Sequence, residues 1–192
     1  QISTDEVYGT VLNDAAKPDD PLNPTSPYAA SKAAADMLVK AWGATYGLPY
    51  TIVRPSNCYG GFQYPEKLIP KCVRSLLLGR AIPIHGDGSM VRSWLWVEDL
   101  AEAILLLLDR QADLPNIVNV SGNTEAQVID VARTIVSLMG PGDIQTGFIR
   151  PAVDVRYAVD DTQLWKAGWR PKGKFWEQLP ELVTQEKKRF RW

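Results

Sequence analysis

Apolar positions fall along the chain in blocks whose spacing alternates between helical and extended, separated by polar stretches rich in proline and glycine. Residues 9–26 are dense in Asp, Asn and Pro, which hold the backbone in turns and extended pieces, and this stretch reads as a loop. Ser26-Pro27 then supplies an N-cap and a first-turn proline, and an Ala-rich stretch follows as far as Gly47, predicting one long helix over 27–46. The short β-branched run 50–53 predicts a buried strand. Beyond a turn-rich stretch at 55–63, helical spacing returns over 65–78 and stops at Gly79. Extended segments at 82–84 and 90–96 bracket a turn, His85-Gly86-Asp87-Gly88. A helix over 98–108, a strand over 117–120 and a helix ending at Gly140 come next, the last opened by a Thr124/Gln127 capping box. A strand near 146–149, a turn of helix at 162–167 and a terminal helix from 175 complete the pattern. Helices alternating with short apolar strands define an α/β protein.

The 192 residues suit one or two ordinary domains, and 45% apolar with 22% charged residues is enough to bury a real core. A net charge of −1 removes the surplus of Lys and Arg that nucleic-acid binding needs, so no nucleic acid is expected as partner. The longest unbroken apolar run, 103–108, is far shorter than the roughly 20 residues that span a bilayer, so no membrane is expected either. Two cysteines, Cys58 and Cys72, build no disulfide framework, which points to a reducing, cytoplasmic setting and to thiols that pack as small apolar groups. A single histidine, His85, excludes His-rich metal sites and the HExxH motif, and no G-x-S-x-G nucleophile elbow occurs for it to serve.

The candidate chemistry begins with Tyr28 and Lys32, four apart on the long helix and therefore on one face. A nearby ammonium favours the phenolate, which would make Tyr28 an acid/base able to move a proton on and off a sugar hydroxyl. An aromatic anchor beside a solvated lysine gives the same pair. Upstream stands Thr4-Asp5-Glu6-Val7-Tyr8-Gly9, whose adjacent carboxyls reach one ligand only where the strand ends and the backbone turns. Neighbouring carboxyls in low dielectric have their pKa values pushed apart, as a paired acid and base require; an acidic loop or helix start gives the same pair.

Further ordered motifs join these: Ser26-Pro27-Tyr28-Ala29-Ala30-Ser31-Lys32, Arg54-Pro55-Ser56-Asn57-Cys58-Tyr59-Gly60, Tyr64-Pro65-Glu66-Lys67-Leu68-Ile69-Pro70, Arg92-Ser93-Trp94-Leu95-Trp96-Val97-Glu98-Asp99 and Arg156-Tyr157-Ala158-Val159-Asp160. Together they resemble the extended short-chain dehydrogenase/reductase superfamily, and the Thr-Asp-Glu triplet resembles its nucleotide-sugar 4,6-dehydratases of the dTDP-glucose 4,6-dehydratase kind. The resemblance implies a Rossmann-type fold and a redox-neutral elimination. In it NAD takes hydride from sugar C4, water leaves across C5 and C6, and hydride returns to C6. It implies Tyr28 as the base at the 4-hydroxyl, with Thr4 hydrogen-bonded there and Lys32 on the nicotinamide ribose. Asp5 would be the acid at the 6-hydroxyl and Glu6 the base at C5. Ser56 and Asn57 fall beside the cofactor, with Asn57 also near the sugar phosphates. Lys67 and Leu68 border the substrate, and Arg92, Asn119 and Arg150 fall at diphosphate and nucleoside contacts, a role to which guanidinium groups are suited. Arg156 fits either a ligand contact or a surface ion pair. His85 stands where such enzymes usually stack Tyr on the base, and Ala152-Val153 replaces a usual Gly-His.

The superfamily opens with a strand, a glycine-rich turn and a helix that hold the dinucleotide pyrophosphate. That unit is not in this sequence, which starts at Gln1 and enters the polar cluster at once, as a chain beginning in mid-domain would. Residues 1–62 then correspond to the remainder of a Rossmann domain with its Tyr-x-x-x-Lys helix. Residues 63–192 form a nucleotide-sugar region, some segments of which return to the Rossmann sheet. A separate or missing amino-terminal half and a homodimer built on the Tyr28 helix are the partners implied. The open alternatives are a noncatalytic remnant that binds a nucleotide sugar or a subunit, and a sugar-nucleotide epimerase or decarboxylase, which shares Tyr28 and Lys32 but does not need Asp5-Glu6.

Overall fold

The computed structural model describes residues 1–110, 113–148 and 154–189. Helix α1 spans Pro27–Tyr46, the bounds expected from the sequence: the Ser26 side chain accepts from the Ala29 amide at its start, and Gly47 takes the left-handed conformation at its end. Strand β1 (Ile52–Pro55) lies two residues later than the sequence pattern suggests, because its ladder with β5 (Ile117–Val120) runs Ile52↔Ile117 to Pro55↔Val120 and draws the charged Arg54 inside. On the other side of β1, Ile2 bridges Val53 in parallel, and the Ser3 amide donates to the Val53 carbonyl at 2.7 Å. The backbone then leaves the extended state for a four-residue 3-10 turn, Asp5–Tyr8, closed by Gly9.

A second sheet is carried by β2 (Asn57–Tyr59), β4 (Val91–Trp96) and β6 (Thr124–Gln127). Its β2–β4 pairing is parallel and its β4–β6 pairing antiparallel. A third joins β3 (Ile82–His85) to β7 (Ile144–Phe148) in parallel, so the two segments that flank the Gly86–Gly88 turn belong to different sheets. Thr124 and Gln127 are therefore not a capping box. They pair with Trp94 and Val91, and α4 (Val128–Met139) starts after them with no side chain on its first amides, since four ladder residues outweigh one cap. The helix expected from 65 starts later, at α2 (Leu68–Leu77), after Pro65 and the extended Lys67.

Three buried clusters organise the described residues. Helices α2, α4 and α6 (Phe175–Arg189) pack around Ile69, Val73, Ile135, Phe175 and Leu179. Helix α3 (Val97–Asp109) and the short α5 (Thr162–Lys166) cover β1 and β5 through Leu100, Leu107, Val118, Leu164 and Trp169. The inner face of α1 closes on Val7, Tyr8, Ala16 and Val159 through Ala33. Its other faces leave Met37, Leu38, Trp42 and Tyr46 exposed. No helix among the described residues is long and apolar enough to cross a membrane.

Candidate active site

The 3-10 turn, α1, β2 and the start of α2 converge on one cavity of about 540 Å³, whose walls include Thr4, Asp5, Glu6, Tyr28, Lys32, Ser56, Asn57, Lys67, Leu68 and Arg92. Groups far apart in sequence are thereby gathered where one ligand can meet them all. The turn explains how consecutive carboxyls share the space, because it ends the extended run that would have pointed Asp5 and Glu6 to opposite faces. Asp5 is 2% exposed, whereas its neighbour Glu6 is half-buried. Burial, and next the Glu6 charge, push the Asp5 carboxyl from an ordinary 3.8 up to about 7; the Thr4 hydroxyl, donating to Oδ1 at 3.3 Å, and Arg92 oppose this. At neutral pH Asp5 thus holds a proton for much of the time.

Tyr28 departs from expectation. Its phenol is raised, not lowered: burial and then Glu6 raise it, Asp5 and Cys58 add to this, and a hydrogen bond with Thr4 works the other way. The physical reason is that the phenol is partly desolvated and faces the acidic turn, while the Lys32 ammonium donates to the Ile2 carbonyl at 2.6 Å. Tyr28 remains 53% exposed, so the cavity is open on that side.

A second cavity of about 220 Å³ shares Leu68, Arg92 and Val128 with the first and is lined by Lys71, Pro83, His85 and Met90. His85 therefore sits away from the carboxyls, and Arg92 stands at the junction. The Arg92 guanidinium lies over the Tyr157 ring at 4.4 Å and donates to the carbonyls of Val91 and Asp154 at 2.7 and 3.1 Å.

Asn119 is not in either wall. It is fully buried, accepts from the Tyr8 hydroxyl at 2.9 Å and donates to the Ala16 carbonyl at 2.8 Å, so its amide is engaged within the protein. Arg156 likewise binds Glu125 at 2.7 Å and the Asp14 carbonyl at 3.0 Å. Arg150 and Ala152-Val153 lie outside the described residues. Cys72 is in the core; Cys58, a member of the motif at 54–60, lines the large cavity, and burial pushes both thiols up to about 12. Ser3, Gln63, Tyr64 and Trp94 also line that cavity; Tyr64 and Trp94 belong to the ordered motifs, and that membership is the signal that could have found them.

Four buried polar atoms in these walls, Ser3 Oγ, Asp5 Oδ2, Asn57 Oδ1 and Trp94 Nε1, have no hydrogen-bond partner. Buried polar groups are nearly always satisfied, so the cavity is built for a polar ligand. Together with the Lys32 donor this set fits a ribose and carboxamide, the nicotinamide end of a dinucleotide. The pyrophosphate end has no cradle among the described residues, since Gly86 and Gly88 lie in the turn between β3 and β4 and not ahead of a helix.

Parallel pairing, covering helices and a ligand cavity at the ends of β1 and β2 define a Rossmann-type α/β protein. Residues 1–121 match the NAD dependent epimerase/dehydratase family, and the chain belongs to that family. It is similar to a trifunctional UDP-glucose 4,6-dehydratase, 3,5-epimerase and reductase of Arabidopsis thaliana, 46% identical over 95% of this chain and 28% of the relative. It is 41% identical to a dTDP-glucose 4,6-dehydratase of Xanthomonas campestris, covering 95% of this chain and 55% of that enzyme. The crystal structure of dTDP-glucose 4,6-dehydratase from Bacillus anthracis in complex with NAD superposes with a TM-score of 0.90 at 39% identity, over 100% of this chain and 62% of that one. The chain thus spans about half the length of the Xanthomonas relative.

Proposed function

We propose that the chain is the catalytic and substrate-binding part of an NAD-dependent 4,6-dehydratase acting on a nucleoside-diphosphate hexose, working with an amino-terminal cofactor half. The observation that carries this is one cavity holding Tyr28, Lys32 and the buried Asp5 beside Glu6. An epimerase needs the first two groups and has no use for a carboxyl pair, so the pair favours elimination. When bound, NAD supplies a hydride acceptor at C4, a donor at C6 and a positive charge. As the phenolate that such a charge would favour, Tyr28 takes the proton of the 4-hydroxyl, and Thr4 orients that hydroxyl. The resulting ketone acidifies C5, whose proton passes to Glu6. Asp5 gives its proton to the 6-hydroxyl, which departs as water, and Glu6 returns its proton to C5 once C6 is reduced. Lys32, Ser56 and Asn57 hold the nicotinamide ribose, while Lys67, Leu68 and Arg92 hold sugar and diphosphate. His85 flanks the base in the smaller cavity.

Residues 1–62 make up the Rossmann remainder and 63–192 the nucleotide-sugar region, with β5 returning to β1. The exposed Met37, Leu38, Trp42 and Tyr46 on α1 support a homodimer through that helix. Free Cys58 and Cys72 suit the cytoplasm.

The full-length polypeptide, given UDP- or dTDP-glucose, should release the 4-keto-6-deoxy product, read by mass spectrometry as loss of water. Tyr28→Phe should lower kcat by roughly 10²–10⁴-fold with nucleotide binding retained. Release of a 4-epimer without loss of water would replace the reading by the epimerase alternative.

A further inference from the structure

The acid–base groups sit on two elements, α1 and the 3-10 turn, and a buried polar chain joins these behind the cavity. Arg54, 1% exposed, donates from Nε to Asp36 Oδ2 at 3.0 Å. From Nη1 it donates to the Tyr8 hydroxyl at 2.7 Å and to the Pro18 carbonyl at 2.9 Å. The Tyr8 hydroxyl donates onward to Asn119 Oδ1, and Asn119 Nδ2 reaches the carbonyls of Ala16 and Asp160 at 2.8 and 3.3 Å. Asp36 is four residues beyond Lys32 and eight beyond Tyr28, on the same side of α1. Tyr8 is the last residue of the turn that begins at Asp5. Asp36, Tyr8 and Asn119 are all buried, and the guanidinium also lies 4.9 Å from the Tyr8 ring centroid.

Buried ion pairs add little net stability over apolar residues of like volume; what they confer is a fixed arrangement. A guanidinium suits this, because its planar fork fixes the directions of its bonds. We propose that Arg54 is a positioning residue. Through Asp36 it holds the helix of Tyr28 and Lys32, through Tyr8 it holds the turn of Asp5 and Glu6, and Asn119 anchors the chain to β5. This deepens the dehydratase reading and rests on it.

Removing Arg54 outright strands the Asp36 carboxylate and endangers folding, so the test is Tyr8→Phe in the full-length polypeptide, which keeps the ring and deletes the linking hydroxyl. The expected result is a kcat lower by about tenfold or more, since small misplacements of catalytic groups are costly, with KM within about twofold. The alkaline limb of kcat should move to lower pH as water reaches Asp5. The groups that face Asp5 are Thr4 and Glu6 on its own turn, Arg92 on β4, Tyr28 on α1 and Cys58 on β2. Ile135→Val, a cavity variant in the α2–α4–α6 core, serves as the control for a stability loss alone and should keep kcat and the limb. Tyr8→Phe with unchanged kcat and limb, or with a loss confined to KM, overturns the proposal whatever its melting temperature. Failure of the unaltered full-length protein to dehydrate either sugar nucleotide removes the dehydratase reading and the proposal with it.

Discussion

On the dehydratase reading, Asp5→Asn in the full-length polypeptide should lower formation of the 4-keto-6-deoxy sugar by roughly 10²–10⁴-fold, the usual contribution of a general acid, and Glu6→Gln should do likewise. Both variants should still bind nucleotide sugar and oxidise it at C4, read as the absorbance of reduced NAD, because Tyr28 is untouched. Equal loss of oxidation and elimination would argue against these roles. The pH dependence follows from the raised pKa. As a general acid Asp5 would have to carry a proton, so kcat of the full-length polypeptide should fall as pH rises through about 7, and Asp5→Asn should lack that limb. Stability moves with the same sign. The folded chain holds the Asp5 proton up to about 7, whereas an unfolded one releases it near 3.8, so the folded state binds more protons between those values and loses stability as pH climbs through them. Asp5→Asn should therefore raise the melting temperature above pH 7 while lowering it little at pH 4. A melting temperature equal to wild type at both pH values would show that the carboxyl is not desolvated.

Gly122→Ala should cost about 3 kcal/mol or more, which for a chain of this size is a fall of roughly 6–12 °C in melting temperature. A methyl group there would stand 1.7 Å from the Trp94 carbonyl oxygen and 2.9 Å from the Leu95 Cα. Those atoms are backbone of the central strand β4, so no rotamer change relieves the clash. The Gly122 amide also donates to Ser56 Oγ at 3.4 Å, and Arg92 and Trp94 on β4 both line the large cavity. Substrate affinity should fall together with stability. An unaltered thermal transition would mean that β4 does not cross Gly122 this closely.

Local chemistry made α1 readable to the residue: Ser26, Pro27 and Gly47 each act within a turn of where they stand. Strand β5 was equally plain, since Ile117–Val120 is a short apolar run. By contrast, β2 lies in a stretch whose Pro and Gly content signals turns, and only its pairing with β4 makes Asn57–Tyr59 a strand. The capping-box spacing at Thr124 and Gln127 failed for the same reason, a long-range ladder overriding a local signal. At the site, motif order brought most cavity residues to notice, but electrostatics did not follow from spacing. The Lys32 ammonium turns to the Ile2 carbonyl, and Tyr28 instead feels burial and then the acidic turn. Asn119 shows the limit most clearly: its amide is used by Tyr8 and Ala16, partners more than a hundred positions away along the chain.

Every strand pairing among the described residues except β4–β6 is parallel, and parallel neighbours require long intervening crossovers. During synthesis β1 therefore emerges well before β5 exists to pair with it, whereas α1 can coil from its own residues as soon as it appears. Acquisition of structure should be slow and late, with loop closure setting the pace. Nascent chains would meanwhile display an unpaired edge open to aggregation, so recovery of folded protein on rapid dilution should be low.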